Sequence, residues 1–243
     1  LAGSRIDARA LDLGETYSFE LKDPGPAPTG WRAFVRGAVG ELTRRGVVLP
    51  GAAVEITGTI PLGAGLSSSA ALEVALVLAL LELAGEPVGE PVGDRAELAR
   101  LCSRIENQWV GAQTGLLDQL ASLCGQRDRA LRIDFRTLVV QPVALELDEH
   151  RLVTLDSGER HANATSGYNQ RRAECAQACR RLGIASLREA TPEMARGLPG
   201  PLDRRARHVI SSSARVDQAV KALERRDFEQ LGSLLDSSHA SLR

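Results

Sequence analysis

The sequence has little of what staples small secreted domains or carries a chain across a membrane. Its four cysteines, Cys102, Cys124, Cys175 and Cys179, are dispersed with no C-x-x-C pair. That argues against a disulfide framework or a metal site and for reduced thiols packed as small apolar groups. The longest uninterrupted apolar run, residues 74–81 between Glu73 and Glu82, is eight residues long, far short of the ~20 that span a bilayer. No signal peptide is visible. Charge of one sign is missing too: 30 basic residues against 31 acidic leave a net charge of −1, so no field draws the chain to nucleic acid or to an anionic membrane. There is no internal repeat and no segment with the composition of disorder. What remains is a globular chain for a reducing cytoplasm, expected as a monomer with a small-molecule partner. At 243 residues and 43% hydrophobic content it can form one large or two moderate domains.

The most informative stretch is residues 54–85. Val54, Ile56 and Ile60 alternate with Glu55, Thr57 and Thr59, the period-two pattern of a strand with one buried face, which Pro61 ends. A helix is expected over 69–84, apolar on every side, with Gly85 placed as the left-handed residue after it and Pro87 as the stop. Between strand and helix lie Gly63, Ala64, Gly65, Leu66, Ser67, Ser68 and Ser69. The glycines have no side chain to hold a ligand off, and the first N–H groups of the helix lack internal partners, so the turn suits an anion, phosphate above all. The serine hydroxyls add donors and can serve as neutral oxygen ligands for Mg²⁺. The plainer alternative is that Ser67 or Ser68 merely caps the helix. Three known templates fail here: no lysine completes a Walker A loop, Ser68 stands where G-x-G-x-x-G needs its third glycine, and Ser69 replaces the last glycine of G-x-S-x-G.

Elsewhere the periodicities predict a strand over 16–21, a proline-stiffened loop, and a helix from Trp31 through Phe34, Val35, Ala38, Val39 and Leu42 to Gly46. A second helix starts at Asp94, with Glu97 three residues on as in a capping box, and buries Leu98, Leu101, Cys102, Ile105 and Trp109. A short helix over 116–124 contains Asp118 among Leu116, Leu117 and Leu120, partly desolvated as suits a base that must accept a proton. Three strands follow: Leu131 to Phe135, Val143 to Leu147, and Leu152 to Leu155. Helices are expected over 166–182, 202–223 and 228–235. Strands mixed with helices early and helices massed late give an α+β architecture, divided near residues 146–150 into parts 1–147 and 148–243.

Pro61-Leu62-Gly63-Ala64-Gly65-Leu66-Ser67-Ser68-Ser69-Ala70-Ala71 resembles, position for position, the second motif of the GHMP kinase superfamily of small-molecule kinases. Downstream, Glu106-Asn107, Val110-Gly111, Gly115 and Asp118-Gln119 resemble the pattern of its galactokinase branch. So do Asp156-Ser157-Gly158-Glu159-Arg160-His161 with Tyr168, Arg171-Arg172 and Glu174-Cys175, and Arg204-Arg205-Ala206-Arg207-His208. Taken alone, Glu106 reads as a solvated helix-edge carboxylate, Asp118 as a capped or salt-bridged structural aspartate, His161 as structural, residues 204–208 as a basic, solvated helix face, and Tyr168 as an amphipathic residue at a helix start.

The resemblance implies a two-lobed GHMP kinase fold, whose N-terminal lobe is like domain 2 of ribosomal protein S5, incomplete here at both ends. It implies ATP and Mg²⁺ as cofactors, with residues 63–69 on the ATP phosphates, Ser69 and Glu106 on Mg²⁺, and Asp118 as the catalytic base. Gly115, Asp118 and Tyr168 would meet the sugar. The activity implied is phosphorylation of the 1-hydroxyl of α-D-galactose. A kinase for N-acetylgalactosamine or another sugar, and a non-catalytic sugar- and ATP-binding regulator, are the alternatives; a serine hydrolase using Ser67 is more remote. No histidine is followed by Thr-Asp, so the superfamily branch's Gly-Glu-His-Thr-Asp motif is missing, as is its late glycine-rich motif. Leu1 is not an initiator methionine and Arg243 falls within a helical pattern. The expectation is a middle portion of the parent enzyme, inactive by itself.

Overall fold

The computed structural model describes residues 3–22, 28–86, 95–155, 158 and 167–242. They form two compact units, Leu1–Cys124 with Leu155–Ala164, and Gly125–Thr154 with Thr165–Arg243.

In the first unit, β1 (Arg5–Ala10) turns at Gly14, whose φ of 64° favours glycine, into antiparallel β2 (Glu15–Glu20). β1 also pairs in parallel with β3 (Ala52–Ile56), giving the order β2-β1-β3. Ile6, Ala8 and Ala10 all point to the buried face, as the alternation of RIDARA requires. The strand predicted to run on to Ile60 stops at Ile56. Beyond it the Thr57 hydroxyl and the Gly58 N–H donate to the Asp12 carboxylate at 3.0 and 2.7 Å, which draws the backbone off the sheet edge.

Helices α1 (Trp31–Arg44), α2 (Ser68–Leu83), α3 (Arg95–Arg104) and α4 (Leu117–Cys124) complete this unit. Helix α3 continues into a π-helical turn, Ile105–Val110, closed by Gly111 at φ 87°. The start predicted for α3 at Asp94 lies outside the described residues. Ile6, Val35, Leu42, Val77, Leu101 and Ile105 meet in the core. Helix α2 leaves part of its apolar surface open: Ala75 and Ala79 are exposed, while Glu73, which flanks the apolar run, is fully buried.

The second unit holds the antiparallel hairpin β4 (Arg129–Asp134) and β5 (Val139–Ala144), then α5 (Gly167–Leu182), α6 (Pro192–Arg196), α7 (Leu202–Arg225) and α8 (Phe228–Leu242). Ala178, Leu187, Ala195, Leu198, Leu202 and Ala206 form its core. The strand predicted over 143–147 sits earlier, because Leu138 N–H donates to Asp134 C=O at 2.7 Å and closes a tight turn. The strand predicted over 152–155 is absent: those residues pair with no strand among the described residues, and Leu152 and Leu155 are exposed. The chain passes between the units after residues 124, 154 and 164, where the sequence reading expected a single boundary near residues 146–150. Ion pairs of Arg132 with Asp217 (2.9 Å) and Arg188 with Asp134 (2.7 Å) join the hairpin to the helices that follow it. All four cysteines are free, and no helix among the described residues is long and apolar enough to cross a membrane.

Candidate active site

The glycine and serine turn is built by backbone conformation. Gly63 and Gly65 have φ of 69° and 76°, and Ser67 joins them at 56°. This left-handed region costs a residue with a Cβ about 1–2 kcal/mol. Ser67 occupies the N-cap of α2, yet its side chain makes no capping hydrogen bond, so the hydroxyl is not spent on the helix as the plainer reading supposed. The first backbone bond of α2 runs from Ala71 N–H to Ser67 C=O at 3.1 Å. The N–H groups before it, on Ser68, Ser69 and Ala70, stand at the positive end of the helix dipole. Leu62 and Leu66 are exposed, leaving the turn open for a ligand.

One residue into that helix the chemistry changes from neutral donors to carboxylates. The Ser69 hydroxyl donates to Glu106 Oε1 at 3.0 Å, and the Thr114 hydroxyl donates to Glu106 Oε2 at 2.6 Å. Glu106 is 2% exposed, so the solvated helix-edge reading of this residue is wrong. It sits in the π-helical turn, and the wider winding there turns it inward toward α2. Asn107 fastens the segment that follows, donating through Nδ2 to Ser103 C=O at 2.6 Å and Thr114 C=O at 3.3 Å.

Gln119, on the first turn of α4, reaches the same carboxylate: its Nε2 donates to Glu106 Oε2 and to Glu73 Oε2, both at 3.1 Å. Burial first, and the negative charges of Glu106 and Asp118 after it, push the Glu73 carboxyl up to about 9 against the hydrogen bond from Gln119. Glu73 therefore carries its proton at neutral pH. Asp118 is half-buried beside Gln119, with Leu117 turned to solvent rather than enclosing it. Gly115 is exposed in the connection just before α4.

Thus one unit brings together the turn 63–69, Glu106 and Asp118. Tyr168 belongs to α5 in the other unit, and its side chain lies outside the described residues. So do residues 156, 157 and 159–161. In the basic run 204–208, Ala206 is buried in the second core and Arg205 donates to Glu174 at 2.7 Å, so this is not a uniformly solvated face.

Sequence reasoning missed a cavity of about 580 Å³ beside the turn. Its walls include Trp31, Val54, Ile56, Leu72 and Ala75, and Ser68 belongs to both the cavity and the turn. The signal was present: Ala71, Ala75 and Ala79 recur every four residues along one stripe of α2, small side chains that leave a groove. Trp31 is fixed there by donating through Nε1 to Glu15 Oε2 at 2.7 Å and by an edge-on contact with Tyr17.

Among the described residues no group of three or more His, Cys, Asp or Glu is clustered for a metal. One buried carboxylate beside one hydroxyl suits Mg²⁺ nonetheless, since that ion takes one or two protein oxygens and completes its shell with water and phosphate.

The site thus combines a phosphate-type turn at a helix start, a carboxylate on the hydroxyl of Ser69 and an apolar cavity alongside, and residues 33–126 match the family described as "GHMP kinases N terminal domain". Among curated proteins the chain is similar to galactokinases: 44% identical over 224 residues to that of Mycobacterium tuberculosis, a match covering 88% of this chain and 60% of that protein. Against the galactokinase of Thermotoga petrophila it is 38% identical over 213 residues, covering 88% of this chain and 59% of the relative. The chain thus spans about 60% of the length of the curated relatives it matches. The crystal structure of Lactococcus lactis galactokinase complexed with galactose superposes with a TM-score of 0.90 at 30% identity, over 100% of this chain and 64% of that one. A D-glycero-D-manno-heptose 1-phosphate kinase, at 15% identity and a TM-score of 0.53, shares the fold.

Proposed function

We propose that the protein containing this chain is an ATP-dependent kinase that phosphorylates the 1-hydroxyl of α-D-galactose. The observation that carries the reading is the 3.0 Å contact between Ser69 and Glu106, at the start of the helix that the glycine turn feeds. The relatives' name and the galactose in the neighbouring crystal structure support the choice of sugar.

Phosphoryl transfer asks mainly for positioning and charge neutralisation. The N–H groups and hydroxyls of residues 63–69 hold the ATP phosphates, and the cavity along α2 takes the adenine base. Ser69 and Glu106 hold Mg²⁺, which neutralises phosphate oxygens when bound. Asp118, half-buried one residue from the Gln119 bridge, accepts the proton of the sugar hydroxyl. Gly115 and Tyr168 are the sugar-contact candidates that the galactokinase resemblance implies. With four free thiols and ATP as co-substrate, the reading includes a cytoplasmic location.

The test is galactose-dependent ADP release by the full encoded protein, with N-acetylgalactosamine and other hexoses alongside. Asp118→Asn is expected to lower kcat by about 10²–10⁴, the contribution of a positioned base, with little change in ADP affinity. Near-parent turnover in that variant would remove Asp118 from the mechanism. Binding of galactose and ATP with no ADP release would make the protein a sensor on a kinase fold.

A further inference from the structure

We propose that Glu73 is a positioning residue of this site, acting through the Gln119 amide to fix the Glu106 carboxylate. The inference rests on the metal role proposed above for Ser69 and Glu106.

The geometry is a bridge between three elements. Glu73 follows Ser69 by four residues on α2, so the two side chains share a helix face. Glu106 comes from the π-helical turn and Gln119 from α4. A primary amide nitrogen has two hydrogens, and Gln119 Nε2 lies 3.1 Å from Glu73 Oε2 and 3.1 Å from Glu106 Oε2. One hydrogen serves each carboxyl group. The Glu106 carboxylate, which only accepts, requires the nitrogen, and the carbonyl oxygen of protonated Glu73 takes the second hydrogen and holds the amide at that rotation. It thereby presents a donor to the Glu106 oxygen on the side away from Ser69. With the Thr114 hydroxyl on the same oxygen, Oε2 is occupied from two directions, and Oε1 is the oxygen left toward the Ser69 hydroxyl and the phosphate turn.

Packing alone does not account for Glu73. It is fully buried, and its Oε1 has no hydrogen-bond partner, nor has Gln119 Oε1. A buried polar atom left unpaired costs on the order of 1–3 kcal/mol, so an apolar side chain of similar length would trade the unpaired Glu73 oxygen for an unpaired Gln119 hydrogen and suit the fold about as well. What an apolar side chain cannot do is accept from Gln119. The proton that Glu73 retains is consistent with this role, since two ionised carboxylates about one amide nitrogen would repel.

The experiment uses the full encoded protein and reads metal affinity directly. Mn²⁺ binding is followed by electron paramagnetic resonance with ADP present, next to the thermal midpoint and galactose-dependent ADP release. Glu73→Met is expected to weaken Mn²⁺ about 10-fold or more, the usual scale for losing a group that orients a metal ligand, with a thermal midpoint close to the parent's. Glu73→Gln keeps the shape and an acceptor oxygen and should retain Mn²⁺ affinity within about 3-fold, a rescue on that same scale. If Glu73→Met does not fold, Gln119→Met supplies the test, removing the amide while Glu73 stays neutral; it too should weaken Mn²⁺ about 10-fold. Where both fold, the double variant should lose no more than either single one, as for two residues on one path. Parent affinity in Glu73→Met or Gln119→Met, or equal losses in Glu73→Gln and Glu73→Met, would overturn the proposal. A parent protein that binds Mn²⁺ and ADP but releases no ADP with galactose would overturn the kinase reading and leave this inference standing.

Discussion

A carboxyl group with no exposed surface and one unpaired oxygen makes stability depend on pH in a calculable direction. Glu73 is pushed up to about 9 by burial and by Glu106 and Asp118. In the unfolded chain it titrates near 4.5. Between those values the native state keeps a proton that the unfolded state has released, so stability falls as pH rises through the window. The contribution is fully present below the unfolded value and is lost as pH passes the folded one. Glu73→Gln removes this dependence. Its stability relative to the parent should climb steadily from pH 5 to pH 8.5, by several kcal/mol in all, measured by urea unfolding at each pH. A constant gap would mean that Glu73 is not held protonated. At this scale the sequence displayed the proposed ligands and hid the groups that touch them. Ser69, Glu106 and Asp118 were legible because their spacing from the glycine turn is that of a known motif. Glu73 was read as the polar end of an apolar run, since helical periodicity does not say which glutamate faces inward when both flanks of a helix are covered.

Among the elements, the π-helical turn decides where Glu106 points, and its seat is built on α1. Trp109 donates through Nε1 to Glu41 Oε1 at 3.1 Å, and Arg104 donates through Nε to Glu41 Oε2 at 2.9 Å. Burial tends to raise the Glu41 carboxyl, but the Trp109 and Arg104 hydrogen bonds and the charges of Arg44 and Arg104 outweigh it and hold it below the usual range. The indole needs bare backbone to lie against: a Cβ on Gly40 would stand 2.3 Å from Trp109 Cζ2, and one on Gly37 would stand 2.7 Å from Ile105 Cγ2. Gly40→Ala therefore cannot be absorbed by a flexible chain end. It should destabilise the protein by about 1–3 kcal/mol, seen as a lower urea midpoint. Because Trp109 and Glu106 share one turn, metal affinity should fall with it. Unchanged stability would mean the indole has another resting place. A continuous helix through Trp109 was the natural reading, because one extra residue per turn leaves no mark in residue type. The two glycines of α1, three positions apart, were its only trace.

For the molecule as a whole, every proposed nucleotide contact falls within the unit Leu1–Cys124, together with the cavity along α2 and Asp118. Tyr168, the proposed sugar contact, is in the other. The α+β class was legible because apolar period switches between two and 3.6 along the chain, whereas the division into units was not, since each unit joins segments far apart in sequence, residues 125–154 with 165–243 in the second. Binding and turnover should accordingly come apart in the 243-residue chain. A ligand that binds only the folded state, supplied at ten times its dissociation constant, stabilises it by about 1.4 kcal/mol, or roughly 3–6 °C for a chain of this size. MgADP should raise the thermal midpoint of this chain by that amount, and Ser69→Ala should abolish the part that requires Mg²⁺. Galactose phosphorylation by the same preparation should be absent, because positioning supplies most of the catalysis in phosphoryl transfer and the chain spans about 60% of its curated relatives. No shift with MgADP would separate the turn from nucleotide binding. Sustained galactose-dependent ADP release would show that these residues suffice for turnover, and that the first and last motifs of the galactokinase pattern refine the site rather than complete it.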